Sequence, residues 1–144
     1  MSDDTFTASV RIAAPPAEVF PYLTDAALVV RWMGDWADLQ PEPGGTLALD
    51  INGVPIRGEF LVVEPPHRVV FTWGAAGNEV LGPGSTTVEI LLRADGGDTV
   101  LELAHRDLPP DEVPKHGDGW DHFLTRLVVA ASGGEPGPDP WTNP

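Results

Sequence analysis

Four histidines and five tryptophans carry most of the chemistry this sequence can offer, and it contains no cysteine. Without cysteine there is no disulfide, no thiolate metal site and no thiol nucleophile. His116 and His122, the closest histidine pair, are six residues apart, which puts them on different faces of a continuous helix, so no metal site is expected. No serine stands in a Gly-x-Ser-x-Gly turn, no Gly-Lys-Ser or Gly-Lys-Thr phosphate loop is present, and Gly82-Pro83-Gly84 lacks the rest of a dinucleotide fingerprint; no cofactor is expected. His105 is the strongest polar candidate. It continues the Leu101–Leu103 face of an alternating segment, so it points inward near a rim. There an imidazole can hydrogen-bond a ligand or, titrating near neutrality, move a proton. Asp50 and Glu59 would form a carboxylate pair only if both turned inward, and the apolar alternation of their neighbours puts them outside.

The aromatic residues point to binding. Trp32, Trp36, Trp73 and Trp120 fall in the patterned part of the chain, and Trp141 in its tail. Indole rings give large apolar contact area and a single N–H that orients a polar group. Trp73 ends a strand and Trp120 begins a helical stripe, so the two are expected to meet at one end of a cavity that Trp32 closes. The expected lining adds Leu49, Phe60, Phe71, Ile90 and Leu103 from strands, and Phe123 and Leu124 from the helix, with His105 as the polar member. At 60–63 and 69–71 both parities are apolar, and alternation leaves the facing open.

These residues need elements to hold them. Residues 5–12 alternate as a half-buried strand, ended by Ala13-Ala14-Pro15-Pro16. A short helix follows, shortened or kinked by Pro21, and then a second, capped by Asp25 and running roughly Ala26–Met33. The acidic stretch around Trp36, with Asp35, Asp38 and Glu42, reads as a solvated loop. Further strands are expected at about 46–51, 57–64, 68–73, 86–93 and 99–105, with hairpin turns at Asn52-Gly53 and Asp95-Gly96-Gly97-Asp98. Phe60 and Val62 are taken as inward. Trp120, Phe123, Leu124, Leu127, Val128 and Ala131 recur at helical spacing. Pro114 fits only the first turn of that helix, Gly117 and Gly119 weaken the next, and Gly133-Gly134 ends it. The order β-α-α-β-β-β-β-β-α is an α+β domain: a curved antiparallel sheet of about six strands, with the first strand at an edge, wrapped around a long C-terminal helix.

Ala14-Pro15-Pro16-Ala17-Glu18-Val19-Phe20 with Leu23-Thr24-Asp25, then Trp32, Pro43-Gly44-Gly45-Thr46, Glu64-Pro65-Pro66-His67-Arg68-Val69-Val70-Phe71-Thr72-Trp73, and Gly119-Trp120 with Phe123, Leu124 and Leu127 resemble a known pattern. In order and spacing over residues 6–131 the chain resembles the activator of heat-shock-protein ATPase homologue-like proteins. The resemblance implies the helix-grip (START-like, SRPBCC, Bet v 1-like) fold and a ligand cavity, more than any one activity, because this fold carries binders, cyclases, hydrolases and chaperone regulators.

The net charge of −14 and the scatter of the seven arginines and the one lysine exclude nucleic acid and anionic membrane surfaces as partners. The acidic N-terminus carries no leader-like apolar run, and no stretch approaches the ~18–20 apolar residues of a membrane span, so a cytoplasmic protein is expected. Residues 1–132 are expected to form one domain and 133–144 a flexible Gly/Pro-rich tail. The expected function is binding of a small, largely hydrophobic or aromatic molecule between sheet and helix. The alternatives are a polyketide cyclase or dehydratase with His105 moving the proton, and a protein-interaction role such as chaperone ATPase regulation. Monomer and homodimer both remain open.

Overall fold

The computed structural model describes residues 4–137 and Asp139. Strand β1 (Phe6–Ile12) leads into three one-turn helices, α1 (Pro16–Val19), α2 (Pro21–Thr24) and α3 (Ala26–Val29). Six strands follow: β2 (Trp36–Leu39), β3 (Thr46–Ile51), β4 (Val54–Glu64), β5 (Arg68–Trp73), β6 (Thr86–Asp95) and β7 (Asp98–Arg106). A short 3-10 turn, Pro110–Glu112, then opens the long helix α4 (Val113–Ala131). All neighbouring strands are antiparallel, in the order β1-β7-β6-β5-β4-β3-β2. This is the expected helix-grip arrangement, with β1 at an edge beside β7.

Each boundary has a local cause. Asn52 and Gly53 adopt positive φ (49° and 80°), as a two-residue turn matching the twist of β3 and β4 demands. The Asp25 carboxylate accepts from the Ala27 N–H at 3.0 Å and caps α3. Proline supplies no N–H at the starts of α1, α2 and α4, where that donor has no helical partner to lose. Gly117 costs the helix some propensity, but a β-carbon there would meet the Phe6 ring at 2.8 Å, so the glycine lets α4 press against β1.

Three expectations need correction. The sheet has seven strands, because the segment around Trp36 is not a solvated loop but an edge strand, paired from Trp36↔Asp50 to Leu39↔Leu47. Ala37 and Leu39 face the interior, while Trp36 is 45% exposed and stacks under Arg57, its cation 5.4 Å from the ring centroid. An outward tryptophan beside aspartates hides the alternation from a reader of hydropathy. The helical run after β1 has three turns rather than two, Pro21 dividing the first two. Third, Val62 is not in the interior set. A bulge after Phe60 shifts the register, so Val63 packs on the core in its place.

The concave face of the sheet and the α4 stripe form the core. Leu124 and Leu127 lie with Ile90, Leu101, Leu103 and Phe60, all fully or nearly fully buried. Each such side chain contributes about 1.5–3 kcal/mol on leaving water. On the convex face, Glu89 bridges Arg68 (2.8 Å) and Arg106 (2.6 Å), and its carboxyl is held below the usual range, chiefly by the Arg68 hydrogen bond. Among the described residues no helix is long and apolar enough to cross a membrane. The described residues beyond Gly133 contact Arg31, just after α3, and Arg126 of α4. Glu135 pairs with Arg31 at 2.7 Å, and the Gly137 carbonyl accepts from Arg126 at 3.0 Å. Trp141 lies outside the described residues.

Candidate functional site

Trp73 closes β5 and faces Thr86, the first residue of β6, across the ladder. His105 lies near the end of β7, opposite Phe6 and Val88, and has no exposed surface. Trp120 comes down from the second turn of α4 and sets its ring centroid 5.4 Å from that of Trp73. The two rings meet at one end of the interior, as their positions in strand and helix predict.

Behind the indoles runs one hydrogen-bond chain. The Trp120 Nε1–H donates to His105 Nδ1 at 3.0 Å. An indole can only donate, so this nitrogen of His105 is the bare one and the neutral ring carries its proton on Nε2. The Nε2–H then donates to Thr86 Oγ1 at 2.8 Å, and the Thr86 hydroxyl donates to the Trp73 carbonyl at 2.7 Å. Every polar atom in the chain is satisfied. Burial pushes the His105 imidazolium down to about 3, with the nearby His116 adding to the effect. To take up a proton His105 must break the bond from Trp120. The geometry makes it a support for the two indoles rather than a proton-transfer group.

A cavity of about 340 Å³ opens in front of the indoles. One side is the β3–β4 hairpin, with Ile51, Val54 and Ile56; the other is the first three turns of α4, with Lys115, His116, Gly119 and Phe123. Met33, Trp73 and Trp120 form the back. This volume lies at the small end of the range for ligand sites, about 300–1,000 Å³. Val54, 44% exposed, and Lys115, its side chain 67% exposed, place the mouth at solvent. Through Met33, Trp73 and Trp120 the cavity adjoins an inner recess of about 20 Å³, lined also by Trp32, Leu49, Phe71 and Ile90. The recess holds about one water at most, so room for a ligand lies in the outer part. Trp32 is fixed there by donating its Nε1–H to the Tyr22 carbonyl at 2.8 Å.

Of the residues expected to line the site, Trp73, Trp120 and Phe123 face the outer cavity. Trp32, Leu49, Phe71 and Ile90 face the recess. Phe60, Leu103, Leu124 and His105 line neither; they are buried in the packed core or, for His105, in the wall behind. Asp50 is paired with Arg57 at 3.1 Å and Glu59 is exposed, so the two do not form a catalytic pair. Sequence reasoning missed the hairpin residues Ile51, Val54 and Ile56, and also Met33, Lys115, His116 and Gly119. The signal for the last three was Gly119 two residues past Gly117, a small residue where a helix has no need of one.

His116 and Lys115 are the ionisable side chains in the cavity lining. The His116 ring centroid is 5.2 Å from that of His105, and its Nδ1 lies 3.1 Å from the Glu112 carbonyl and 3.6 Å from the Glu112 carboxylate. Lys115 Nζ sits 3.3 Å from the other Glu112 oxygen. Among the described residues no cluster of His, Asp or Glu is placed to hold a metal.

A sheet gripping a helix over an apolar, tryptophan-backed cavity defines a helix-grip protein. The sequence profile of the Activator of Hsp90 ATPase homolog 1-like proteins matches residues 13–132, and the chain belongs to that family. Among solved structures it is similar to an AHSA1-like protein from Rhizobium etli, with 40% identity, a TM-score of 0.70, and 98% of this chain and 91% of that one covered. CalU16 from Micromonospora echinospora is 30% identical with a TM-score of 0.75, over 94% of this chain and 77% of that one. DynU16, a protein of the dynemicin biosynthetic locus, is 28% identical with a TM-score of 0.80; the match covers 92% of this chain and 49% of DynU16, so this chain spans about half of its length. No curated protein sequence matches the chain.

Proposed function

We propose that this protein binds a small, largely hydrophobic molecule in the cavity between the β3–β4 hairpin and α4, in the cytoplasm. The observation that supports this most is an apolar space of about 340 Å³ whose back wall is a Trp73–Trp120 pair held from behind by a satisfied hydrogen-bond chain. Rigid aromatic walls favour a ligand's carbon surface over water, and the Trp120 N–H is already spent on His105. The likeness to DynU16, a protein of a biosynthetic locus, points the same way. A cyclase or dehydratase using His105 has less support, since that ring is neutral and both its nitrogens are engaged.

The test is to plug the space. A β-carbon added at Gly119 meets nothing within 4 Å, and this residue lines the cavity. Gly119→Phe should keep the fold, because replacing a helical glycine gains rather than loses helix propensity. The neutral fluorescent probe N-phenyl-1-naphthylamine should bind the wild-type protein with low-micromolar affinity, about −8 kcal/mol, and bind Gly119→Phe at least tenfold more weakly, ~1.4 kcal/mol. Equal binding by the folded variant would remove the cavity as the site.

A further inference from the structure

We infer that the ligand carries an acidic hydroxyl, as a phenol or an enol does, at the end that meets His116 and Lys115. This rests on the reading of the cavity as a binding site and adds the chemical class of what it holds. The lining contains no carboxylate, in a chain with 22 aspartates and glutamates, and it does contain the chain's single lysine. The two ionisable lining residues offer opposite halves of a hydrogen-bonding site. A carbonyl oxygen can only accept, so the 3.1 Å contact with the Glu112 carbonyl puts the His116 proton on Nδ1, and the Glu112 carboxylate 3.6 Å away favours the same tautomer. In that tautomer Nε2 is a bare acceptor, and it has no hydrogen-bond partner among the described residues. Lys115 can only donate. One N–H is directed at Glu112, and the ammonium has two more.

A hydroxyl gives a hydrogen to an imidazole nitrogen and takes one from an ammonium through the same oxygen. Acidity strengthens the bond to the imidazole, and as that proton is shared the charge left on the oxygen lies beside the ammonium. Glu112 holds both residues, His116 on its backbone oxygen and Lys115 on its carboxylate. A flat body fits the remainder, where Trp73 and Trp120 form the back and Ile51, Ile56 and Phe123 the sides.

Two probes of matched shape isolate the hydroxyl: 2-naphthol and 2-methylnaphthalene, compared by equilibrium dialysis. The wild-type protein should bind 2-naphthol at least tenfold more tightly, ~1.4 kcal/mol. His116→Phe keeps a ring but cannot accept, so it should abolish that preference. Lys115→Met, at an exposed side chain, should reduce the preference, and it serves as the second variant should His116→Phe fail to fold. Wild-type protein that binds 2-methylnaphthalene as tightly as 2-naphthol overturns the inference and leaves the cavity reading standing. A preference for 2-naphthol that survives both substitutions also overturns it. Failure of both probes to bind overturns the cavity reading as well.

Discussion

His105 and His116 stand with ring centroids 5.2 Å apart, and they do opposite things. His105 is sealed in the wall, with Nδ1 accepting a hydrogen bond from Trp120 and Nε2–H donating one to Thr86. His116 is part of the lining, with one nitrogen on the Glu112 carbonyl and the other unspent. The residue type is the same, and the two rings are neighbours. What separates them is whether the protein has already used up their hydrogen-bonding capacity. A satisfied buried histidine is scaffolding, and a half-satisfied one at a cavity is addressed to something that is not protein.

That contrast breaks most visibly under truncation. His105→Ala leaves the Trp120 N–H and Thr86 without their partner and opens a hole in the core, so urea unfolding should show a loss of roughly 3–5 kcal/mol. A loss below about 1 kcal/mol would mean that the wall does not depend on this ring.

Acid should act through the same residue. His105 falls from 6.5 in the unfolded chain to about 3 in the fold, so between those values the unfolded state binds the extra proton. The stabilisation from a neutral His105 is therefore complete above pH 6.5, declines as the pH falls, and is gone below about 3. Its share is on the order of 1.4 kcal/mol per pH unit inside that window, or about 2 kcal/mol between pH 6.5 and 5. Carboxylates add slopes of their own, so the measurement is a difference. His105→Gln should lose stability less steeply than wild type over this range, and parallel curves would contradict the assignment.

A smaller effect sharpens the direction of the chain. Trp120→Phe keeps the aromatic wall but withdraws the donor from His105 Nδ1, which should cost about 1–3 kcal/mol. It should also raise the His105 titration toward the ordinary value, because the freed nitrogen can accept a proton. At the bottom of the scale, His116→Phe should change unfolding by no more than about 1 kcal/mol, since the ring gives up one hydrogen bond to the Glu112 carbonyl and keeps an aromatic edge toward His105.

The sequence carried the frame of this picture well and its chemistry only in part. Asn52-Gly53 and Asp95–Asp98 are turns whose residues are dictated by local backbone geometry, so the β3–β4 and β6–β7 hairpins fall where sequence reading puts them. The Trp120-to-Ala131 stripe likewise marks the buried face of α4. The inward turn of His105 follows from alternation along β7, but its partners come from β6 and α4, and no local pattern reports a bond between distant elements. The bulge at Leu61 is invisible for the same reason: both parities are apolar, and only pairing with β5 decides between them. The cavity mouth was missed because its polar members, Lys115 and His116, lie in a stretch where two glycines and a proline obscure the start of a helix.

The most direct test of the division between the two histidines is the 15N spectrum of their imidazole nitrogens, recorded from pH 8 to 5 with and without 2-methylnaphthalene. His105 should show the Nε2–H neutral tautomer throughout and hold its shifts when the probe is added, while the His116 resonances move on binding. A His105 ring that titrates within that range, or that moves with the probe while His116 stays still, would contradict the account.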